Sequence, residues 1–201
     1  MLGVDDVRRV LAGRQPALLE TGLPHRAAVS LVLTDDAGSL DLLLIERARR
    51  AGDPWSGQMA FPGGRVDVGD ATARAAAERE TFEEVGLSLA GSELLGRLDD
   101  LPGRPAPASD LAVSAFVFYV SAPGTLALNH EVRDAFWFPL AAFSDSERHV
   151  HYPVDVESDW HFSGIRVGEP GRHVVWGLTY RFLDRFLDVL GQPLPKRTAR
   201  R

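Results

Sequence analysis

The run Arg79-Glu80-Thr81-Phe82-Glu83-Glu84-Val85-Gly86-Leu87 holds the residues best suited to chemistry. A helix advances about 100° per residue, so Glu80 and Glu84 stand about 40° apart and Glu83 about 60° to the other side of Glu80. All three carboxylates then share one arc of about 100°. Like charges this close repel, and Arg79 alone does not neutralise them. A divalent cation would, and oxygen-only ligands select Mg2+ or Mn2+ over softer metals. The competing reading is a solvated charged face, the commonest fate of helical glutamate. Two features favour the metal. Ala73, Ala76 and Ala77 lie on the same arc and let a ligand or backbone approach closely. Gly63-Gly64, ahead of the irregular stretch Arg65 to Gly69, permits unusual dihedrals and frees a backbone carbonyl to reach the ion. Which side of this helix is buried stays open, because Ala75, Phe82 and Val85 form a competing apolar side.

The elements that must position this arc can be read from patterning. Asp70 to Val85 contains an alanine cluster and neither proline nor glycine, which predicts a helix, with Asp70 as N-cap and Gly86 just past the C-terminus. Ala27 to Thr34 and Leu40 to Arg47 read as strands, and Asp35-Asp36-Ala37-Gly38 between them predicts a hairpin. Ala48 to Gly57 is a polar, arginine-rich loop, and Gln58 to Pro62 a short strand leading to Gly63-Gly64. Further strands are expected over Leu94 to Leu101, Leu111 to Val120 and Val132 to Phe138, with short ones at Val150 to Val154 and Phe162 to Val167. Pro102 to Ser109 reads as a surface loop. Asp5 and Asp6 are suited to cap a short first helix carrying Val7, Val10 and Leu11. Trp176 to Leu190 predicts a last helix with a core-facing stripe of Leu178, Phe182, Phe186 and Val189. Strands in the middle with one central and one terminal helix indicate a mixed sheet rather than a doubly wound fold.

Composition narrows the partners. The chain has 201 residues, 45% of them hydrophobic, which suits one domain with a real core. It divides into 1–25, an N-terminal helix and linker; 26–190, the main domain; and 191–201, a basic tail read as solvated. A net charge of −6 argues against long nucleic acid, while local arginines still suit a small phosphorylated ligand. No apolar run is long enough for a bilayer and no signal-peptide pattern opens the chain, so no membrane partner is expected. The absence of cysteine removes disulfides, thiolate metal sites and a cysteine nucleophile, and is compatible with a cytoplasmic location. Homodimer formation is left open.

The residues from Gly64 to Leu87 resemble the Nudix box, which has Gly, five residues, an acid, a short spacer, then Arg-Glu-x-x-Glu-Glu-x-Gly and an apolar residue. Here those positions are Gly64, Asp70, Arg79, Glu80, Glu83, Glu84, Gly86 and Leu87. The chain departs from the pattern in three ways. Asp70 replaces Glu, the spacer before Arg79 is one residue longer, and Thr81 stands where an apolar residue is usual. The first two also occur in the coenzyme A pyrophosphatase branch. The resemblance implies an α/β fold, a Nudix-type α/β/α sandwich around a mixed sheet, over roughly Arg26 to Leu190. It implies hydrolysis of a nucleoside diphosphate linked to another moiety. Glu80, Glu83 and Glu84 would hold Mg2+ or Mn2+, Arg79 would orient the glutamates, and the carbonyl of Gly63 or Gly64 would complete the shell. Glu131 is the candidate for a further carboxylate acting as base or extra ligand; the alternative is a surface glutamate at a strand start.

Upstream, Leu43-Leu44-Ile45-Glu46-Arg47-Ala48, Gly57 and Phe61-Pro62-Gly63-Gly64 are similar to the signature of coenzyme A pyrophosphatases. The stretch from Arg47 to Gly57 is one residue longer than in that signature, and its second arginine falls on Asp53, with Arg49 or Arg50 as substitutes. The resemblance implies Arg47, Arg49, Arg50 and Arg65 as substrate-binding residues, with Trp55 either stacking on a base or covering the core edge. The implied reaction is cleavage of coenzyme A or acyl-CoA to 3′,5′-ADP and the (acyl-)4′-phosphopantetheine. The alternatives are another small-molecule nucleoside diphosphate derivative (a dinucleotide, NADH or a nucleotide sugar), or a non-catalytic nucleotide sensor. The presence of all three box carboxylates speaks against a sensor.

Overall fold

The computed structural model describes residues 2–19, 25–36, 38–52, 55–103, 110–153 and 161–195. Asp53, residues 104–109 of the proline-rich loop, Val154 and the basic tail from Lys196 lie outside that set. The described elements in chain order are α1 (Val4–Ala12), β1 (His25–Asp36), β2 (Ser39–Arg47), β3 (Met59–Ala60), β4 (Gly63–Arg65), α2 (Ala73–Val85), β5 (Glu93–Arg97), β6 (Leu101–Pro102), β7 (Leu111–Tyr119), β8 (Val132–Pro139), β9 (His149–Pro153), β10 (His161–Arg166), β11 (Val174–Val175) and α3 (Gly177–Val189), with two short 3-10 turns after β8.

The predicted hairpin forms, with β1 and β2 antiparallel and Asp36 opposite Ser39. β1 also runs parallel to β7 along nine residue pairs, so the large sheet is mixed, in the order β3-β2-β1-β7-β5. β8 pairs with the other edge of β2, β4 with β1, and β6 with β7. A separate three-stranded antiparallel sheet is ordered β11-β10-β9. The period-two alternation of a strand separates the two faces of the large sheet. On β2, Leu43 and Ile45 join the cluster under α2, with Ala76, Ala77, Val85 and Phe118. Leu42 and Leu44 join the opposite cluster, which holds Val7 and Leu11 of α1 and Phe182, Phe186 and Leu187 of α3. The expected α/β/α sandwich is therefore present.

Several local expectations are corrected. α2 begins at Ala73 and its N-cap is Thr72, whose Oγ1 accepts from the Ala75 N–H at 3.0 Å. Asp70 does not cap, because its carboxylate is occupied by Arg79, and charged bidentate pairing is the stronger bond. α1 is capped by Gly3, with Asp6 reaching back to the Gly3 N–H at 3.0 Å. The strand expected over Gln58 to Pro62 is two short strands, β3 and β4, interrupted at Phe61-Pro62. The one expected over Leu94 to Leu101 breaks at residues 98–100, where Asp99 and Asp100 turn inward to hold other segments. The last helix begins at Gly177, with Trp176 as its cap. Gly86 does end α2 with a left-handed φ of 69°, as the sequence predicts.

Asp100 anchors the chain that follows α1. Its side chain is fully buried, accepts Arg97 Nη2 at 2.6 Å and the Leu19 N–H at 3.1 Å, and has Arg26 Nη2 at 3.8 Å. Neighbouring Asp99 takes Arg14 at 2.5 Å and the Ala17 N–H at 2.6 Å. Removing Asp100 leaves the partly buried guanidinium of Arg97 and the Leu19 N–H without their buried acceptor. Asp100→Ala is therefore expected to cost about 3–5 kcal/mol in denaturant unfolding. A loss below about 1 kcal/mol would show that solvent reaches this network.

Candidate active site

α2 lies across β1 and β4 with Ala76, Ala77, Thr81, Glu84 and Val85 buried. This settles which face is inward. Phe82, part of the competing apolar side, is 58% exposed, while Val85 is buried. Thr81 fits at a fully buried position because its hydroxyl lies 2.9 Å from Ser30 Oγ and donates to the Ala77 carbonyl at 2.7 Å. The departure from an apolar residue is thus matched by a serine on β1.

The three glutamates enter solvent by degrees. Glu84 is buried, Glu80 is mostly covered, and Glu83 is half exposed. Arg79 holds the outer two, with Nη1 2.9 Å from Glu80 Oε1 and 3.1 Å from Glu83 Oε2. Its other arm is bidentate on Asp70, Nε at 3.0 Å and Nη2 at 2.9 Å, and Nη2 also donates to the Arg65 carbonyl at 3.1 Å. Asp70 in turn accepts the Asp67 N–H at 2.8 Å. One guanidinium therefore ties the loop 65–70 to the helix. Its hydrogen bonds hold the Asp70 carboxyl below the usual range, and the same partners raise the pKa of Arg79.

Glu84 is beyond that arginine. Its Oε2 accepts the Gly63 N–H at 2.9 Å, and its Oε1 is 3.9 Å from Arg47 Nη1. Burial pushes its pKa up to about 7, and the charges of Glu80 and Glu131 add to the rise against the opposing Gly63 N–H and Arg47. Glu80 is raised for the same leading reason, burial, against Arg79. Glycine is required on both sides of this contact. Gly63 has φ 153°, and a Cβ there would lie 2.3 Å from the Ala28 carbonyl. A Cβ on Gly64 would lie 2.4 Å from the Glu80 carboxyl carbon. The backbone of β4 thus runs directly beneath two carboxylates.

This donor set fits a divalent cation. It contains only oxygen ligands, in a pocket floored by glycine backbone, and among the described residues its buried carboxylate has only Arg47, at 3.9 Å, as a paired cation. The Gly63 N–H bonds Glu84, a contact compatible with the carbonyl of Gly63 or Gly64 that the resemblance implies as a ligand.

The remaining candidates differ in their partners. Glu131, just before β8, bonds Arg50 Nη1 at 2.8 Å, and its charge is felt at both Glu80 and Glu84. Arg50 is thus drawn to a carboxylate. Arg49 packs its side chain over Gly57 and is exposed, as is Arg65. Trp55 is 44% exposed, and its carbonyl accepts the Gln58 N–H.

A second group of ligating types was not anticipated. Glu46, Asp134 and His173 meet on the face of the sheet away from α2, with His173 Nε2 3.4 Å from Glu46 and 3.6 Å from Asp134. Two facts argue against a metal there. Arg172 already donates to Glu46 Oε2 from Nε at 2.9 Å and Nη2 at 2.6 Å. His173 Nδ1 accepts the Glu169 N–H at 3.1 Å, so the proton of the neutral ring sits on Nε2, facing the carboxylates. The available signal was Glu46 itself, a charge in the inward phase of an otherwise apolar strand.

Comparison with known proteins agrees with this geometry. A profile of the NUDIX domain matches residues 24–156. The chain is 31% identical over 176 residues to a probable Nudix hydrolase of Schizosaccharomyces pombe, covering 86% of this chain and 59% of that protein. It is 30% identical over 183 residues to human mitochondrial coenzyme A diphosphatase NUDT8, covering 91% of this chain and 76% of that one. The chain spans only 36% and 59% of the length of two fission-yeast relatives it matches. The crystal structure of a MutT/nudix family protein from Enterococcus faecalis shares the fold, with a TM-score of 0.54 at 17% identity over 94% of this chain and 75% of that one.

Burial of Glu84 has a consequence for stability without metal. Below its ordinary pKa of 4.5 this carboxyl is protonated in both folded and unfolded chains and contributes no difference. Between 4.5 and about 7 the unfolded chain releases the proton while the folded chain keeps it, so stability falls as pH rises and levels off above about 7. The penalty is on the order of 3 kcal/mol at most. Glu84→Gln keeps an acceptor for the Gly63 N–H and removes the charge. In excess chelator it should be more stable than the parent by about 1–3 kcal/mol at pH 8, with the gap shrinking at pH 5. A variant less stable than the parent at pH 8 would mean that the charge is not desolvated.

Proposed function

The chain belongs to the Nudix family, and from that premise we propose that it is a Mg2+- or Mn2+-dependent diphosphatase of small nucleoside diphosphate derivatives, with coenzyme A or an acyl-CoA as the substrate. The observation that supports the reaction class is the complete set of Glu80, Glu83 and Glu84 on one helix, with Glu84 desolvated against the Gly63 N–H. These three carboxylates, with a backbone oxygen of Gly63 or Gly64, would hold the cation. The cation, when bound, polarises phosphoryl oxygens and lowers the pKa of the attacking water. Glu131 accepts the proton that this water releases. The water oxygen bonds to one phosphorus as the bridging P–O bond breaks, and each product leaves with one phosphoryl group. From coenzyme A the products are 3′,5′-ADP and 4′-phosphopantetheine. Arg79 fixes Glu80 and Glu83 against the loop carrying Asp70.

Support for coenzyme A comes from the partial upstream signature and from a relative of that printed activity at 30% identity. Arg49, in the loop after β2, and Arg65, at the end of β4, are exposed and suit the additional 3′-phosphate, arginine being shaped for phosphate oxygens. Trp55, in the same loop as Arg49, offers a ring for the base. One observation favours a substrate without that phosphate, such as a dinucleotide, NADH or a nucleotide sugar. Arg47 is directed at Glu84 and Arg50 at Glu131, which leaves fewer cations for it. A chain lacking cysteine suits a reducing compartment such as the cytoplasm, and among the described residues no helix is long and apolar enough to cross a membrane.

Excess chelator should abolish hydrolysis, and Mg2+ or Mn2+ should restore it. Glu83→Gln and Glu84→Gln should each lower kcat at least ~100-fold. Glu78→Gln should be nearly neutral, since Glu78 pairs with Arg74 at 2.7 Å away from the cluster. Full activity in chelator, or equal losses at Glu78 and Glu84, would refute the mechanism.

Substrate choice is tested by comparing kcat/KM for coenzyme A and its 3′-dephospho form. A contact to the 3′-phosphate worth about 1.5–3 kcal/mol predicts roughly a 10- to 150-fold preference for coenzyme A. Equal values, or faster cleavage of NADH or a dinucleotide, would transfer the assignment to the second substrate group.

A further inference from the structure

Two loops meet beside the catalytic carboxylates, and each is fixed through its backbone. The Asn129 N–H donates to the Glu84 carbonyl at 3.0 Å, which ties the segment before β8 to the end of α2. The Glu131 N–H donates to Asn129 Oδ1 at 2.7 Å, and the Glu131 carbonyl accepts the Ala48 N–H at 2.7 Å. On the other loop the Arg50 N–H donates to Ser56 Oγ at 2.7 Å, and Gly57 and Gln58 close back onto Arg47. The backbone of Glu131 is therefore set, but its side chain has one anchor among the described residues, Arg50 Nη1 on Oε1 at 2.8 Å. Oε2 takes no hydrogen bond there.

Repulsion makes that anchor consequential. Glu131 is near enough to Glu80 and Glu84 for its charge to raise the pKa of both. A flexible carboxylate near two others is pushed outward unless a cation offsets its charge. Arg50 supplies that cation from the outer side and leaves Oε2 free.

We propose that Arg50 is a positioning residue, whose guanidinium holds the Glu131 carboxylate at the rim of the metal-binding cluster through Oε1, rather than a contact to substrate phosphate. The inference rests on the reading of Glu131 as the proton acceptor. The pair is partly exposed, 43% for Arg50 and 36% for Glu131, and pairs of this kind add little to stability, so variants should fold.

The test is a double-mutant cycle on the full chain, using whichever diphosphate the parent cleaves fastest with Mg2+. The variants are Arg50→Ala, Arg50→Lys, Glu131→Gln and Arg50→Ala with Glu131→Gln, each checked for parent-like circular dichroism. Arg50→Ala should lower kcat roughly 10- to 100-fold, the loss expected for one charge-assisted hydrogen bond, with KM nearly unchanged. Arg50→Lys should recover part of that loss. In the Glu131→Gln background, Arg50→Ala should add almost nothing, because the two act as one unit. A raised KM with kcat retained, and losses that multiply in the double variant, would make Arg50 a substrate contact and overturn the proposal. No change in either constant would reduce the pair to a solvated rim contact and overturn it equally. A parent that cleaves no diphosphate would instead overturn the catalytic reading, and this inference with it.

Discussion

Asp70, Glu80 and Glu83 converge on a single guanidinium, and most of the site is organised by that crowding. Arginine suits this position because its donors point in fixed directions, so one group engages a bidentate carboxylate on one edge and two more on another. The fixed geometry sets the loop before α2, since Asp70 and the Arg65 carbonyl bond the same side chain. It also leaves no donor for Glu84. That carboxylate depends on the Gly63 N–H and a distant Arg47, and burial raises its pKa. The folded chain thus carries a carboxylate whose charge is costly until a cation arrives. Metal affinity and folding stability draw on the same residue.

Periodicity and glycine spacing made much of this legible. The β1–β2 hairpin and the presence of β7 and of α2 follow from apolar patterning, because the period of two and the period of 3.6 bury different residue sets; the parallel pairing of β7 with β1 and the start of α2 at Ala73 do not. The three glutamates were legible because their spacing places them on one arc whatever the helix packs against. The burial order among them was not. Ala76-Ala77 and Ala75-Phe82-Val85 are similar apolar stripes, and the choice between them depends on β1, where Ser30 accommodates the Thr81 hydroxyl. The role of Asp70 was hidden for a related reason. An aspartate shortly before a helix is a good cap by local rules, and only the position of Arg79, nine residues on, shows that another partner claims it.

The end of β2 shows how one strand serves both faces of the sheet. Its pairing with β8 shifts register between Glu46 and Arg47, so that Glu46 is opposite Asp134 and Arg47 opposite Val132. Such a bulge places one extra residue on the partner strand and changes the local twist. Arg47 then reaches towards Glu84 on the α2 face. Glu46 turns to the other face, where Arg172 and His173 close the turn before β11 onto the sheet. Burial would raise the pKa of Glu46, but Arg172 and Arg133 outweigh it and the net shift is downward. Here an arginine fully answers a buried carboxylate, which is the condition that Glu84 lacks. Two buried glutamates on neighbouring elements therefore have opposite characters, one a structural ion pair and the other an open ligand.

That contrast bears on how a diphosphate can enter. The site is lined by carboxylates, the chain as a whole carries −6, and the nearest arginines already face acidic partners. A polyanion approaching the metal-free pocket is repelled by Glu83 and Glu131, an effect that the exposed Arg49 and Arg65 offset only in part. A divalent ion held by Glu80, Glu83 and Glu84, as proposed, would reverse the local sign and compete with the Arg79 guanidinium for these glutamates. Under the proposed function, metal binding and substrate binding would therefore be coupled through charge. The coupling is strongest at Glu84, where desolvation leaves least water to screen it.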